Sequence, residues 1–302
     1  MDRLEAMTIL LAAVDTGSLS AASRQLRIPL ATVSRRVAEL EEHLNVRMHL
    51  RGPRKLTLTD SGEQYVAMCR RIIEDVAEAE RTASGEYRAP QGDLVINAPT
   101  VLGKMHAMPV IVEFLATYPD IRVRIELSDR NVNLLDEHID LALRAGELSD
   151  NSLVATRVGL IREVLCASPA YLKLRGTPKK PADLESHDCI AYHGTNIMAR
   201  NDWKFVVKGS QQIVTVRPRL VVNAAEAAVV AAASGGGIAR ALSYQIEEQL
   251  KSRSLVRLLE GYEPAAWPIS LIYAGQRQVP LKLRAFLDFA VPRLRHRLGY
   301  KA

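Results

Sequence analysis

The sequence predicts a mixed α/β protein in three parts: a small, mainly helical N-terminal domain, one long helix, and a two-lobed α/β domain. Residues 1–45 show helical spacing of apolar residues, and the stretch after Thr59 repeats them at alternating intervals of four and three. From Asp93 onward, strand and helix patterns alternate. The predicted boundaries are 1–59 for the N-terminal domain, 60–89 for the long helix and hinge, and 90–302 for the last domain, with its first lobe at 90–160 and 268–302 and its second lobe at 161–267.

The composition favours an anionic partner. The 302 residues include 40 basic and 34 acidic side chains, a net charge of +6. Two basic runs contain no acidic residue, Arg24 to Arg36 and Arg47 to Lys55. Such runs are usually solvated surface, but two so close together favour phosphate contact. Aromatic residues make up only 5% of the chain, which argues against stacking on single-stranded nucleic acid.

The N-terminus and the cysteines restrict the class of protein. No secretion signal or bilayer-spanning apolar run is recognised, so a cytoplasmic protein without a membrane partner is expected. The cysteines, Cys69, Cys166 and Cys189, are odd in number and widely spaced, which argues against a disulfide framework. A redox switch between Cys166 and Cys189 is an alternative to ordinary buried thiols, the commoner case. No Cys or His pairs have zinc-ligand spacing, and no cofactor is predicted.

The first helix is predicted from about Asp2 to Thr16, and Gly17 is placed to end it. Its predicted buried face consists of Leu4, Met7, Leu11 and Val14. This helix is expected to supply the core against which the next two helices pack.

Two helices joined by a tight turn lie between Ser18 and Leu44. The first is predicted from about Ser20 to Leu26, capped by Ser18 or Ser20, and the turn is Arg27-Ile28-Pro29. The second buries one stripe, Val33, Val37, Leu40 and Leu44, and exposes Thr32, Arg35, Arg36 and Glu39. This arrangement is typical of a helix-turn-helix, whose second helix enters the major groove of DNA. Amphipathic helix pairs with surface arginines also occur in many other helical proteins, so the flanking segments decide between the two interpretations.

The segment from Val46 to Thr59 is predicted to form a wing. Gly52-Pro53 marks a turn between two short β-prone arms, and Arg51, Arg54 and Lys55 would lie at the tip. There they can follow a DNA backbone or enter a minor groove. An ordinary basic hairpin is the alternative, but the position favours a winged helix-turn-helix.

A long helix is predicted after the wing. Thr59 or Asp60 can cap it, and Glu63 has capping-box spacing from Asp60. Its apolar residues form a heptad seam: Tyr65, Cys69, Ile72, Val76, Ala79 and Ala83. The seam could pack on its own domain, but pairing with a second copy is favoured, which predicts a homodimer reading two half-sites. Residues 84–92 are the predicted hinge.

The remaining sequence has an α/β rhythm. The predicted helical stretches run from Val101 to Tyr118, from Leu134, after Asn223, and from Pro280 to about Arg297. The predicted strands lie at 94–96, 121–127, 139–143, 164–167, 189–192, 220–223, 255–259 and 269–273, and the last strand and the C-terminal helix are expected to return to the first lobe.

Several N-terminal segments resemble a known family: Leu19 to Ala22, Val33-Ser34-Arg35, Leu40-Glu41, the wing arginines, and Leu58 to Gly62. Through them, residues 1 to about 90 are similar to the DNA-binding domain and linker helix of the LysR-type transcriptional regulators. The resemblance implies binding to promoter DNA as a homodimer or homotetramer, with RNA polymerase as a further candidate partner. The candidate DNA-contacting residues are Ser18, Ser20, Leu30, Ala31, Thr32, Ser34, Arg35, Arg36, Arg51, Arg54 and Lys55.

The sequence departs from the family pattern at three places. Pro29-Leu30-Ala31 stands where a serine cap followed by Gln-Pro is common, so contacts with thymine methyl groups are expected instead of amide hydrogen bonds to adenine. His49 and Leu50 replace an aromatic residue and an acid in the wing, which affects wing packing. Leu242 replaces a proline after the glycine segment, which affects that loop.

The C-terminal pattern, with the motifs INAPT, DLALRAG and GGGIA, resembles both the effector domain of this family and periplasmic solute-binding proteins. The DNA-reading motif and the missing secretion signal favour the regulator. The resemblance implies a small-molecule effector, expected to be anionic, in the cleft between the lobes. The candidate effector-binding residues are Thr100, Val101, Arg144, Tyr192, His193 and Asn223; each also has a local alternative, such as a helix cap for Thr100 or Asn223 and a structural ion pair for Arg144.

An enzyme is not expected. The sequence contains no Gly-x-Ser-x-Gly, phosphate-loop or His-Glu-x-x-His motif, and the GGGIA segment follows a helix, whereas a dinucleotide-binding fingerprint follows a strand. No catalytic or metal-binding residue is predicted. The remaining alternative is an architectural or weakly specific DNA-binding protein without an effector, against which the long α/β region argues.

Overall fold

The computed structural model describes residues 2–50, 56–83, 89–147, 152–192, 201–275 and 279–300. The chain divides into two compact units, Met1–Arg88 and Ala89–Ala302. Among the described residues, no single helix is long and apolar enough to cross a membrane. Helices Arg3–Thr16 and Leu19–Leu26 meet the length and hydropathy requirement only as a pair bent by 116°.

The N-terminal unit consists of four helices and a small hairpin: α1 (Arg3–Thr16), α2 (Leu19–Leu26), α3 (Leu30–Leu44), β1 (His49–Leu50), β2 (Thr57–Leu58) and α4 (Asp60–Ala83). The Asp2 carboxylate accepts the Leu4 N–H at 3.0 Å, and Gly17 ends α1 with φ 75°, as the sequence predicts. The predicted buried face of α1 is wrong in part. Leu4 is 41% exposed, whereas Ile9 and Leu10 are buried, because α2, α3 and α4 all pack against α1.

The wing and α4 are joined through Thr59, which is the capping residue rather than Asp60. Its hydroxyl accepts the Gly62 N–H at 3.0 Å and donates to the Arg47 carbonyl at 2.8 Å. The predicted seam of α4 is divided between two environments. Cys69 is buried in the core of the N-terminal unit, whereas Ile72 is 39% exposed. Cys69 therefore packs within its own domain, whereas Ile72 lies on an exposed face of the helix.

The C-terminal unit is built on two five-stranded sheets. The first sheet has the order β4-β3-β5-β14-β6, with β3 (Gly92–Ala98), β4 (Ile121–Leu127), β5 (Leu141–Ala145), β6 (Leu153–Ile161) and β14 (Trp267–Ala274). The second has the order β11-β8-β12-β7-β13, with β7 (Glu163–Ala167), β8 (Cys189–Tyr192), β11 (Pro218–Val222), β12 (Ile238–Leu242) and β13 (Val256–Leu258). A separate hairpin joins β9 (Asp202–Val207) and β10 (Ser210–Thr215). We refer to the parts built on these sheets as the first and second lobes.

The chain passes between the lobes along two neighbouring strands. It enters the second lobe after Ile161 and returns at Trp267, and these two residues are register partners in the antiparallel pair of β6 and β14. The return of β14 and of the C-terminal helix to the first sheet agrees with the prediction. The C-terminal helix packs on the helix Met108–Thr117, where the rings of Phe114 and Phe286 meet edge to face with centroids 5.0 Å apart.

The helices cover the sheets: α5 (Thr100–Leu102), a π-helical turn (Gly103–Ala107), α6 (Met108–Thr117), α7 (Pro169–Arg175), α8 (Ala225–Ala233), α9 (Glu247–Lys251) and α10 (Leu281–Arg297). The helix predicted to begin at Leu134 is absent from the described residues there, which form hydrogen-bonded turns. The Asn133 side chain accepts the Leu135 N–H at 3.0 Å, a local bond that competes with helix formation. Strands β6 and β12 and the β9–β10 hairpin were not predicted.

Candidate functional site

The helix-turn-helix geometry is fixed by local hydrogen bonds. The Ser18 hydroxyl accepts the Ala21 N–H at 3.1 Å and so caps α2. Arg27 ends α2 in the left-handed region with φ 55°. The Ser23 hydroxyl donates to the Ile28 carbonyl at 2.7 Å across the turn. These contacts determine the direction in which the chain enters α3.

Helix α3 buries one face and exposes its N-terminal turn. Its predicted apolar stripe packs into the domain, with Val33, Val37 and Leu40 buried. Pro29 is the cap position and makes no side-chain capping bond. Leu30 is 47% exposed, and the Arg35 side chain is 64% exposed. Ser20 and Ala31 are also exposed, and Ser18, Thr32 and Ser34 are partly exposed.

Arg36 has a different environment from Arg35. Its side chain is only 23% exposed, and its guanidinium pairs with Glu5 of α1 at 3.0 Å and with Glu39 at 3.1 Å. The hydrogen bond to Glu39 raises the pKa of Arg36. Arg36 is therefore less exposed than Arg35, and its ion pairs hold α3 against α1.

The wing is fastened to α3 through Glu41. One oxygen of the Glu41 carboxylate accepts the Met48 N–H at 2.7 Å and the His49 N–H at 3.3 Å, and it lies 3.1 Å from the His49 ring nitrogen Nδ1. This contact gives His49 a role in wing packing where the family pattern has an aromatic residue. This role of Glu41 was not predicted from the sequence. The predicted tip residues, Arg51, Arg54 and Lys55, lie outside the described residues.

A cleft between the two lobes of the C-terminal unit spans about 580 Å³, a volume that includes its opening to solvent. Its lining residues come from both lobes: Pro99, Asp129, Ala145, Tyr192, Ala225, Arg240, Leu242, Tyr244, Gln245 and Trp267.

Of the predicted effector-binding residues, Tyr192 lines this cleft, whereas Thr100 is not in the lining and donates its backbone N–H to the lining residue Asp129. Val101 is buried in the core of the first lobe. The Arg144 guanidinium donates to the Arg130 and Val132 carbonyls at 3.4 Å each, so the structure gives it a loop-bracing role, and its burial lowers its pKa.

Asn223 is not among the residues that line the cleft. Asn223 is exposed and does not cap α8, whose cap position is Ala224. Ala225, two residues further on, lines the cleft instead. His193 lies outside the described residues.

Asp129 was missed by the sequence analysis. Its carboxylate accepts the Thr100 N–H at 3.0 Å through one oxygen, and the other oxygen accepts the Tyr192 hydroxyl at 3.5 Å. Thr100 belongs to the first lobe and Tyr192 to the second, so Asp129 bridges the two. The sequence signal that could have identified Asp129 is its position two residues after the end of β4.

Arg240 was also missed, and it connects the cleft to the interior of the second lobe. Its guanidinium lies 3.7 Å from the buried Glu163 carboxylate and 5.7 Å from the centroid of the Trp203 ring. Burial raises the pKa of Glu163, and the positive charge of Arg240 opposes that shift. The Arg240 side chain is 9% exposed, so its positive charge lies largely inside the protein.

The described residues contain no group of three or more His, Cys, Asp or Glu side chains that could hold a metal ion. Cys69, Cys166 and Cys189 are all buried free thiols. Burial raises the pKa of Cys166 and Cys189 to about 12, which disfavours the reactive thiolate.

Both units match models of one protein family. Residues 4–63 match the bacterial regulatory helix-turn-helix proteins of the lysR family, and residues 88–295 match the LysR substrate binding domain. The chain is 32% identical to the HTH-type transcriptional regulator CrgA of Neisseria meningitidis serogroup C over 295 residues, which cover 97% of this chain and 98% of CrgA. It is 31% identical over 283 residues to an HTH-type transcriptional regulator of Haemophilus influenzae, with 94% and 98% coverage.

Solved structures agree with this assignment. The structure of CrgA from Neisseria meningitidis superposes with a TM-score of 0.61 at 31% identity, covering 96% of this chain and 98% of CrgA. The full-length virulence activator AphB of Vibrio cholerae gives a TM-score of 0.61 at 30% identity, with coverage of 96% and 98%. The chain therefore belongs to the LysR family of transcriptional regulators, with an N-terminal helix-turn-helix and a C-terminal effector-binding domain.

Proposed function

We propose that this chain is a cytoplasmic regulator that binds a two-fold promoter site as a dimer or tetramer and responds to a small molecule in its interlobe cleft. The observation that carries the DNA-binding role is the exposed N-terminal turn of α3, which presents Leu30 and Arg35 while the opposite stripe is buried. We also propose three functional parts: a DNA-binding domain at 1–59, a linker helix and hinge at 60–89, and an effector-binding domain at 90–302. RNA polymerase is a further candidate partner.

The proposed DNA contacts follow from exposure and chemistry. Ser18 and Ser20, at the start of α2, are suited to phosphate contact, and Ser34 and Arg35 to phosphate or base contact. Leu30, Ala31 and the Thr32 methyl group are suited to thymine methyl groups. The wing residues Arg51, Arg54 and Lys55 are proposed to follow the backbone or enter the minor groove. We assign Arg36 to positioning α3 because its ion pairs occupy it.

The proposed dimer would use the exposed part of α4. Met68 and Ile72, one turn apart on this helix, are 44% and 39% exposed. Pairing of two copies would cover these apolar side chains and place two copies of α3 on one duplex.

The proposed response to an effector is a coupled equilibrium. A molecule that binds one arrangement of the two lobes more tightly shifts the population toward it, by no more than the difference between its two affinities. The sequence favours an anionic effector on general grounds, but the Thr100 N–H already binds the Asp129 carboxylate, which weighs against an anion at that end of the cleft.

Specific DNA binding is tested by titrating the chain against duplex DNA from the region flanking its own gene, at increasing salt and with random competitor. Affinity for one imperfectly palindromic site is expected to exceed random-DNA affinity by about a thousandfold or more, and to fall steeply with salt. Arg35→Ala should weaken binding by about 1–3 kcal/mol. Arg219→Ala is the matched control, since it removes an exposed arginine of the second lobe. Strong binding without sequence preference would instead favour the architectural protein.

The apolar first turn of α3 predicts a particular base preference. Leu30→Ala or Thr32→Ala should relax the preference at one symmetric T·A pair, because each removes a methyl contact while leaving Arg35 in place. A selection of binding sites from a random library measures this preference. If both variants select the same base at that position as the parent chain, methyl readout by α3 is refuted.

A further inference from the structure

The protein places its own negative charge at one end of the interlobe cleft. Asp129 lies just beyond β4, and its carboxylate accepts the Thr100 N–H at 3.0 Å. Thr100 is the first residue of a helical stretch that continues through the π-helical turn to Thr117. A helix start favours an anion, and here the chain supplies that anion itself.

The same carboxylate reaches the second lobe. Its other oxygen accepts the Tyr192 hydroxyl at 3.5 Å, which is at the long limit for such a bond. A donor on a bound molecule could therefore replace the Tyr192 hydroxyl at little cost. Burial and, after it, the charge of Asp129 raise the pKa of Tyr192, so this carboxylate influences its surroundings across the cleft.

The remaining lining is partly aromatic. Tyr192, Tyr244 and Trp267 contribute aromatic surface and Leu242 contributes aliphatic surface. The lining also includes Arg240, whose positive charge is paired with the buried Glu163 carboxylate at 3.7 Å. A ring held there with a carboxylate toward Asp129 would bring two negative charges together in a partly desolvated space, which is strongly unfavourable. A ring carrying an amidine, amine or hydroxyl would instead give Asp129 a second donor.

We propose that Asp129 sets the charge that the cleft accepts: it selects a small ring-containing effector that directs a hydrogen-bond donor toward Asp129, and it rejects one that places a carboxylate there. This inference rests on the proposed effector role of the cleft and names the chemical class of its ligand. Asp129 is thus a specificity-determining residue, and its bond to Tyr192 is the interlobe contact that the effector replaces.

The test uses three probes of nearly the same shape and different charge: benzamidine, benzamide and benzoate. Their affinities are measured by calorimetry on the full chain and on Asp129→Asn, which keeps an oxygen acceptor for the Thr100 N–H and removes the charge. The full chain is expected to bind benzamidine at least about tenfold more tightly than benzoate. In Asp129→Asn this preference should shrink by about tenfold or more.

Two further variants serve as controls. Asp93→Asn removes a negative charge from an exposed pair with Arg122 at the start of the first sheet, and it should leave the preference unchanged. Ala225→Trp fills the cleft from the second lobe and should abolish benzamidine binding if the probe occupies the cleft.

The other possible outcomes would contradict either the charge selection by Asp129 or the binding of a ring-containing ligand in the cleft. Equal affinity for benzoate and benzamidine, or an unchanged preference in Asp129→Asn, would overturn charge selection by Asp129. Undiminished binding to Ala225→Trp, or no binding of any probe, would overturn the assignment of a ring-containing ligand to this cleft. The promoter-DNA titration is a separate measurement, so failure of the regulatory function itself would appear there and not here.

Discussion

Gly62→Ala is expected to displace the wing and destabilise the N-terminal unit by about 1–3 kcal/mol. A Cβ atom at this position would overlap the backbone carbonyl of Met48, which cannot move aside as a flexible side chain could. Met48 is itself held by the Glu41 carboxylate, so the strain would be transmitted to the contact between the wing and α3. Specific DNA affinity should fall by about tenfold or more, because the wing would no longer align with α3. Thermal unfolding and operator titration measure the two effects.

Ser61→Ala is the matched control for this prediction. Ser61 is exposed on the same turn of α4, and its substitution adds no atom near the wing. It should leave both stability and affinity close to those of the parent chain. A Gly62→Ala variant that unfolded at the parent temperature and bound DNA normally would show that the wing tolerates displacement from α4.

Arg240→Met is expected to destabilise the second lobe by about 3–5 kcal/mol near neutral pH, because it removes the ion-pair partner of the buried Glu163 carboxylate and leaves only the weaker influence of Lys204. The loss should depend on pH. Burial already holds the pKa of Glu163 above its ordinary value of 4.5, and removing Arg240 raises that pKa further. A group whose pKa is raised in the folded state stabilises that state while protonated and loses this contribution as pH increases. The deficit should therefore be larger at about pH 8 than at about pH 5.5.

The double variant Arg240→Met/Glu163→Gln separates charge burial from packing. A neutral amide at position 163 should recover most of the lost stability and remove the pH dependence of the deficit. Arg219→Met, at a guanidinium that is 79% exposed, is the control for loss of a positive charge and should have little effect. Equal destabilisation of the single and double variants at both pH values would place the effect in the packing of Arg240 on Trp203 instead.

The N-terminal unit was largely predictable because its determinants are local. The stripe of α3, the Ser18 cap and the Gly17 terminus depend on residues a few positions apart. The buried face of α1 was only partly predictable, because it is determined by packing against three other helices. The ion pair of Arg36 was not predictable for a similar reason: a helical projection puts Arg36 near Arg35, but its partner Glu5 lies on another helix.

The sequence predicted a cleft between the lobes, but it did not predict most of the residues that line it. The sequence located strand ends and helix starts, yet the lining residues are often immediate neighbours of the predicted ones: Ala145 rather than Arg144, and Pro99 rather than Thr100. Successive strand residues point to opposite faces, so an error of one position reverses the direction of a side chain. Choosing the correct face requires the strand order, which is set by long-range pairing that one sequence does not reveal.

The second lobe is an insertion in the chain of the first lobe, because the chain leaves the first sheet and returns to it on two neighbouring strands. Its two ends, after Ile161 and before Trp267, leave from directly opposed positions of one antiparallel ribbon. A tight turn could close that ribbon and leave the first sheet with all five of its strands. In this chain, a second lobe with a different cleft wall is therefore expected to bring a different ligand specificity to an unchanged first lobe.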